Sequence, residues 1–227
     1  MKLILKIAGI LVVLFLLIQA FFFIQICWWI DHNPGTTSFM RHQLAIIQEK
    51  KPDFRLQQQW VNYDHISNQL KRAIIASEDA NFSEHDGVDW NAMEKAYEKN
   101  TKKGRVVSGG STITQQLAKN LFLSGQRSYI RKGQEFIITF MLEAVMDKER
   151  IFEIYLNVVE WGNGVYGAEA ASRHYFGISA ASLNAAQAAR LAVMLPNPRF
   201  YDINRGSGYL QKRTELIMRR MNSSTLP

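Results

Sequence analysis

From Ile7 to Ile30 the chain carries no charged side chain, and Gln19 and Gln25 are the only strongly polar residues in the run IAGILVVLFLLIQAFFFIQICWWI. At about 1.5 Å per residue, roughly 24 helical residues outrun a hydrocarbon core of roughly 30 Å, so the segment can span a bilayer. A cleavable signal peptide has a shorter apolar stretch and an exit of small residues. This run instead continues through Phe21, Phe22 and Phe23 to Trp28 and Trp29, residues suited to a membrane interface. The expectation is an uncleaved anchor over residues 1–30. Lys2 and Lys6 precede it and Arg41 is the first Lys or Arg after it, which favours a cytoplasmic N-terminus, although long domains cross largely regardless of such counts. A buried core helix is the alternative, and a start so near the N-terminus speaks against it.

After the anchor, a chain of 227 residues has room for one domain. With 47% hydrophobic and 21% charged residues it can bury a core. Its one cysteine excludes a disulfide framework and any multi-thiolate zinc or iron–sulfur site. The formal charge is +7, of which the anchor holds only Lys2 and Lys6, so the remainder is basic. No basic run is interleaved with stacking aromatics. The charge therefore points to anionic headgroups or a phosphorylated ligand, and not to nucleic acid.

Residues 31–58, with Asn33-Pro34-Gly35 and a mixed polar tail, read as a stalk or lead-in, and the folded unit is expected over 59–227. Helical spacing then dominates: Leu70, Ala73, Ile74 and Ser77; Ile113, Leu117 and Leu121; Ile151, Ile154, Tyr155 and Val158; and an Ala-rich run stopped by Pro196 and Pro198. The expected class is mainly α, with at most a short strand near Trp60-Val61. Gly162-Asn-Gly164-Val-Tyr-Gly167 satisfies a dinucleotide fingerprint, but it follows a helical pattern and lacks an acid about 20 residues on, so its glycines are expected to stop a helix and form tight turns. Phe136 to Met146, apolar nearly all round, implies a helix inside the core or close to lipid.

Three segments carry chemistry. The stripe from Leu70 to Ser77 continues at helical spacing to Glu78. That puts a carboxylate on the apolar side, where desolvation would raise its pKa toward that of a general base, or leaves it pointing past the helix end into solvent. Asp79, Phe82 and His85 follow closely. Next, Gly109-Gly110 precede a helix on which Thr112 and Gln115 have capping-box spacing. Its polar face of Thr112, Gln115, Gln116 and Lys119 suits sugar hydroxyls and phosphate oxygens, or is a plain exposed face. Third, Ser128 can cap a helix on which Arg131 and Lys132 lie four and three residues before Glu135, so both cations can reach a carboxylate that should stay ionised. With Arg127 and Lys119 these cations could hold a diphosphate; a surface salt-bridge cluster is the bland reading. Together, Glu78 and Glu135 form the kind of carboxylate pair that glycosyl chemistry uses.

The segments EDANFSEHDG (Glu78 to Gly87), GGSTITQQLAKN (Gly109 to Asn120), RKGQE (Arg131 to Glu135) and KERIFEIYLNVVEWG (Lys148 to Gly162) resemble, in order and spacing, the motifs of the peptidoglycan glycosyltransferase family. The resemblance runs from about Trp60 to Arg213. With no S-x-x-K or KTG for a transpeptidase, it is to the monofunctional members. It implies a lysozyme-like α domain on an N-terminal transmembrane helix, at the bacterial cytoplasmic (inner) membrane, single-pass, with the catalytic domain on the periplasmic side. The implied reaction polymerises lipid II, with Glu78 as base, inversion at the anomeric carbon and release of undecaprenyl diphosphate. By the same resemblance Lys119, Arg127, Arg131 and Lys132 would hold the diphosphate. Glu135 would order these cations or a divalent ion (Mg or Mn), and Ser111, Gln115 and Asn120 would position substrate. Asp79, Phe82 and His85 fall on motif positions that support Glu78. Leu121, Phe122 and Leu123 would meet the membrane near the cleft. Partners would be lipid II, the growing glycan chain, the membrane, division or elongation proteins and penicillin-binding transpeptidases.

Two other classes compete. A lytic, lysozyme-like enzyme also uses a helical Glu, but it has no use for diphosphate-binding cations. A non-enzymatic scaffold would be anchored and basic, but would have no reason to carry Glu78 and Glu135.

Overall fold

Twenty-seven residues, Lys2–Trp28, form helix α1, whose side chains are mostly exposed apart from Gln19 and Ile26. Its mean hydropathy of 2.9 and its length are sufficient to cross a membrane. The computed structural model describes all residues except 106, 108, 126 and 127, so Arg127, expected at the diphosphate, lies outside the described residues.

The stretch expected as a lead-in is partly folded into the domain. Thr37 caps α2 (Ser38–Gln48), its Oγ1 accepting from the Met40 N–H at 3.2 Å, and Met40 is fully buried. Farther on, β1 (Gln57–Gln58) pairs in parallel with β3 (Val165–Tyr166), which pairs antiparallel with β2 (Glu160–Gly162). The helix was hidden because its two buried side chains, Met40 and the polar Gln43, leave little periodic signal. The parallel pair joins segments more than a hundred residues apart.

The glycine-rich stretch supplies the β2–β3 hairpin, a use that helical periodicity before it did not suggest. Gly164 sits at φ +77, and a Cβ there would lie 2.5 Å from the Phe54 ring. Only glycine fits both the backbone and the space.

Around this small sheet the helices are α3 (Asn68–Glu78), α4 (Trp90–Lys103), α5 (Ile113–Phe122), α6 (Tyr129–Val145), α7 (Lys148–Val158), α8 (Ala168–Phe176), α9 (Ala185–Met194), α10 (Pro198–Ile203) and α11 (Gly208–Arg220). The domain is mainly α, as the periodicity implies. α9 packs against α3 and α11, where Ala188, Ala189 and Ala192 are fully buried and their small size lets the helices approach closely. α5 lies against α6 and α7, and the centre is filled by Phe82, Phe152, Tyr155, Trp161 and Tyr166, all fully buried.

Leu121, Phe122 and Leu123, expected to meet lipid, are buried or half-buried, and Phe122 lies against the anchor. Leu121 is buried, and the Phe122 ring lies 4.8 Å from that of Phe22 and 5.2 Å from that of Trp29. Ile26 of α1 joins the domain core, fully buried. Filling such a site with Leu or Ile and then truncating to Ala typically costs about 2–5 kcal/mol. Ile26→Ala should therefore lower the thermal midpoint of the detergent-solubilised protein by several degrees, while Ile24→Ala, on the exposed side of the same helix, should not.

Candidate active site

α3 ends at the expected carboxylate. Ser67 caps its start, accepting from the Gln69 N–H at 3.2 Å, and Leu70, Ala73, Ile74 and Ile75 form its buried face. Because Glu78 continues that face, its carboxylate is drawn inward. Oε2 accepts from Gln116 Nε2 at 3.0 Å, and Oε1 accepts from Ser77 Oγ at 3.3 Å. Burial pushes the Glu78 pKa up and the Asp79 charge adds to this, while the bonds from Gln116 and Ser77 and the positive Lys119 pull it back. A step that needs ionised Glu78 should therefore lose activity on acidification along a limb above the ordinary carboxylate range. The pH profile of kcat/KM reads this directly, and a limb at the value of a free carboxylate would refute it.

Gln116 is itself held from behind. The hydroxyl of fully buried Tyr155, on α7, donates to Gln116 Oε1 at 3.1 Å, which turns the amide so that its NH2 faces Glu78. Burial, reinforced by the charges of Glu78 and Asp79, pushes the Tyr155 pKa well up, so the phenol stays a donor.

Asp79 follows the helix and joins two elements. Its Oδ2 accepts from the Ile113 N–H at 2.9 Å, in the first turn of α5, and its Oδ1 lies 2.9 Å from His85 Nε2. The loop beyond is fixed by Lys148, whose Nζ donates to the His85 carbonyl at 2.6 Å and to Glu143 at 2.8 Å, and by Thr112 Oγ1, which donates to the Gly87 carbonyl at 2.6 Å. Asp79 and His85 thus hold the floor beneath Glu78. Phe82 is fully buried against Phe152, with Lys148 Nζ 4.7 Å from its ring centroid, and cannot touch a substrate.

On α5, Thr112 Oγ1 accepts from the Gln115 N–H and Gln115 Oε1 accepts from the Thr112 N–H, completing the capping box. That role occupies the side-chain oxygen of Gln115, while its Nε2 has no hydrogen-bond partner among the described residues. Gln115, expected to position substrate, is fully buried in this cap, and Asn120 is buried too at 4% exposure. Lys119 remains partly exposed on the same helix. Burial pushes its pKa down, Glu135 and Glu160 pull it up, and Arg131 and Lys132 push it down again. Lys119 thus stands within electrostatic reach of Glu78 on one side and of the α6 cluster on the other.

That cluster forms as the helical spacing requires. Ser128 caps α6, Arg131 Nη1 donates to Glu135 Oε2 at 2.7 Å, and Lys132 Nζ donates to Glu135 Oε1 and, at 3.2 Å, to the exposed Ser111 hydroxyl. Glu135 is 3% exposed, so it fixes the two cations and does not itself face solvent. Among the described residues no three His, Cys, Asp or Glu side chains converge, and both Glu135 oxygens already serve cations. The residues present do not fit a protein-held divalent ion.

The whole domain matches one family model, described as Transglycosylase, over residues 45–222. The chain belongs to the transglycosylase family. Among similar proteins, the biosynthetic peptidoglycan transglycosylase of Janthinobacterium sp. (strain Marseille) is 73% identical over 216 residues, covering 95% of this chain and 94% of that relative. The protein of the same description from Herminiimonas arsenicoxydans is 70% identical over 216 residues, with the same coverage of both. That of Bordetella pertussis is 57% identical over 216 residues, covering 93% of this chain and 89% of the relative.

In this transglycosylase two polar contacts behind Glu78, those of Gln116 and Tyr155, are not legible in the sequence. Gln116 stood on the polar face already noted, but nothing in sequence sets it opposite Glu78. Tyr155 sat in an apolar stripe, where a hydroxyl is invisible to periodicity. A third carboxylate, Glu160 on β2, is buried with Arg199 Nε donating to it at 2.9 Å, and burial pushes its pKa up.

Proposed function

We propose that this transglycosylase polymerises lipid II, a disaccharide-peptide on undecaprenyl diphosphate, into glycan strands. The observation that carries the reading is a half-buried, amide-held carboxylate separated by a lysine from a set of fixed cations: a base at one end and charge stabilisation at the other.

Glu78 removes the proton from the acceptor's 4-hydroxyl as that oxygen attacks the anomeric carbon of the donor, with inversion. Gln116 and Ser77 keep the carboxylate oriented, and Tyr155 keeps Gln116 oriented. On the far side of the anomeric carbon, negative charge develops on the departing diphosphate. Lys119, Arg131 and Lys132 meet it as pre-positioned donors, which is worth most where the surroundings are already fixed and partly dry. Glu135 holds two of the three in place. Asp79 and His85 support the base without touching substrate. The domain works on the outer side of the inner membrane, where the anchor holds it against a lipid-linked substrate.

Incubation of the full chain with lipid II in proteoliposomes tests this. Polymer and undecaprenyl diphosphate are the expected products, and purified sacculi should remain intact, since mature strands carry no diphosphate for the cations to stabilise. Soluble fragments from sacculi, with no polymer from lipid II, would replace the reading with a lytic one.

A further inference from the structure

The anchor is fastened to the domain at points that the proposed reaction does not use. Gln19 is 8% exposed, although Leu17, Ile18 and Phe21 around it on α1 are 61, 50 and 57% exposed. Its amide and that of Gln134 on α6 bond reciprocally: Gln19 Nε2 donates to Gln134 Oε1 at 3.0 Å, and Gln134 Nε2 donates to Gln19 Oε1 at 2.8 Å. At the end of α1, Arg150 of α7 gathers the free oxygens. Its Nε and Nη2 both donate to the Trp29 carbonyl at 3.0 Å, and Nη2 also donates to the His32 carbonyl at 2.8 Å and to Asn33 Oδ1 at 3.0 Å.

Helical rise fixes what this means in a bilayer. Gln19 lies about 20 Å along α1 from Lys6 and about 26 Å from Lys2, within a hydrocarbon thickness of roughly 30 Å. An amide facing lipid there is costly, and two amides that satisfy each other across helices are not. Gln134 must then enter the membrane to the same depth. On α6 it lies three residues after Arg131 and next to Glu135, so whatever fixes Gln134 also fixes the direction and height of the cations. The near-fully exposed Tyr129 and Ile130 on the first turn of α6 suit such immersion.

We propose that the anchor is a fixed strut and not a tether: the Gln19–Gln134 pair inside the bilayer and the Arg150 cap at the end of α1 together set the depth and rotation of α6, and so where Arg131, Lys132 and Glu135 meet a membrane-bound diphosphate. Gln19 and Gln134 are positioning residues. The inference rests on the reading of the site as a lipid-linked diphosphate glycosyltransferase, and its test separates the two.

The full chain is placed in phosphatidylethanolamine–phosphatidylglycerol vesicles as wild type, Q19L, Q134L, Q19L/Q134L and Q19E. Lipid II kinetics are measured there, and in detergent with a short-prenyl lipid II analogue. In vesicles each leucine single variant should raise KM roughly three- to tenfold, as expected for one interhelical hydrogen-bonded pair, with kcat within twofold. The double variant should be no worse than the weaker single. Q19E should stay within twofold of wild type, because a neutral carboxylic acid reproduces both bonds to an amide. Short-prenyl turnover in detergent should be unchanged throughout. An unchanged KM in vesicles, multiplicative losses in the double variant, or equal losses in both formats would each overturn the strut. A depth measurement independent of catalysis accompanies these assays: a fluorophore on I130C, in a Cys27→Ser background, quenched by nitroxides at two acyl depths. Q19L/Q134L should move the label toward the surface, and an unmoved label would overturn the proposal even if the wild type makes no polymer. No polymer from the wild type, with the label moving as expected, would refute only the assigned reaction.

Discussion

Replacing Glu78 by glutamine should reduce polymer formation by about 10²–10⁴-fold while leaving the protein folded, because the amide keeps the side chain's volume but cannot take a proton. The change should also raise thermal stability at neutral pH. Burial lifts the folded-state pKa of Glu78 above its unfolded value, so its contribution favours the fold below the unfolded pKa and is lost as pH rises through the folded pKa. At neutral pH the ionised carboxylate, desolvated beside Asp79, weighs against the folded state, and Glu78→Gln removes that cost. Activity lost with stability gained is a signature that a purely structural glutamate would not give. Polymerisation within about tenfold of wild type would remove Glu78 from the role of base.

Lys119→Ala should produce the second largest loss. Lys119 lies within electrostatic reach of both Glu78 and the Glu135 cluster, so it is the cation best placed to follow charge moving from the acceptor side to the leaving group. A charge-assisted hydrogen bond is worth about 1.5–3 kcal/mol, which corresponds to a fall of roughly 10–150-fold in kcat/KM. Inhibition by undecaprenyl diphosphate should weaken in parallel. Since burial already pushes the Lys119 pKa down, the basic limb of the pH profile should also move when it is removed. A change confined to thermal stability, with product inhibition intact, would assign Lys119 to structure alone.

Much of this site could be read locally. The bond from Arg131 and Lys132 to Glu135 follows from i, i+4 and i, i+3 spacing on one helix, and the Thr112–Gln115 capping box from spacing at a helix start. The same local logic did not show how deeply Gln115 and Phe82 are buried. A polar amide on a polar face can be consumed by the cap of its own helix, and an aromatic in a motif can be core. Residues 38–48 and the partners of β1 escaped notice because their burial depends on segments distant in sequence. Arg127 lies outside the described residues.

By itself the sequence determined the long apolar helix, the predominance of α structure, the apolar stripe that carries Glu78 and the cation pair on Glu135. All of these are set within one helix, where 3.6-residue geometry decides which side chains share a face. Only the tertiary structure decided that Gln116 and Tyr155 stand behind Glu78, that Asp79 ties α3 to α5, and that Gln19 meets Gln134. These are contacts between helices. Their partners are chosen by how buried faces pack, and a hydroxyl or amide at the edge of such a face leaves no periodic trace along the chain.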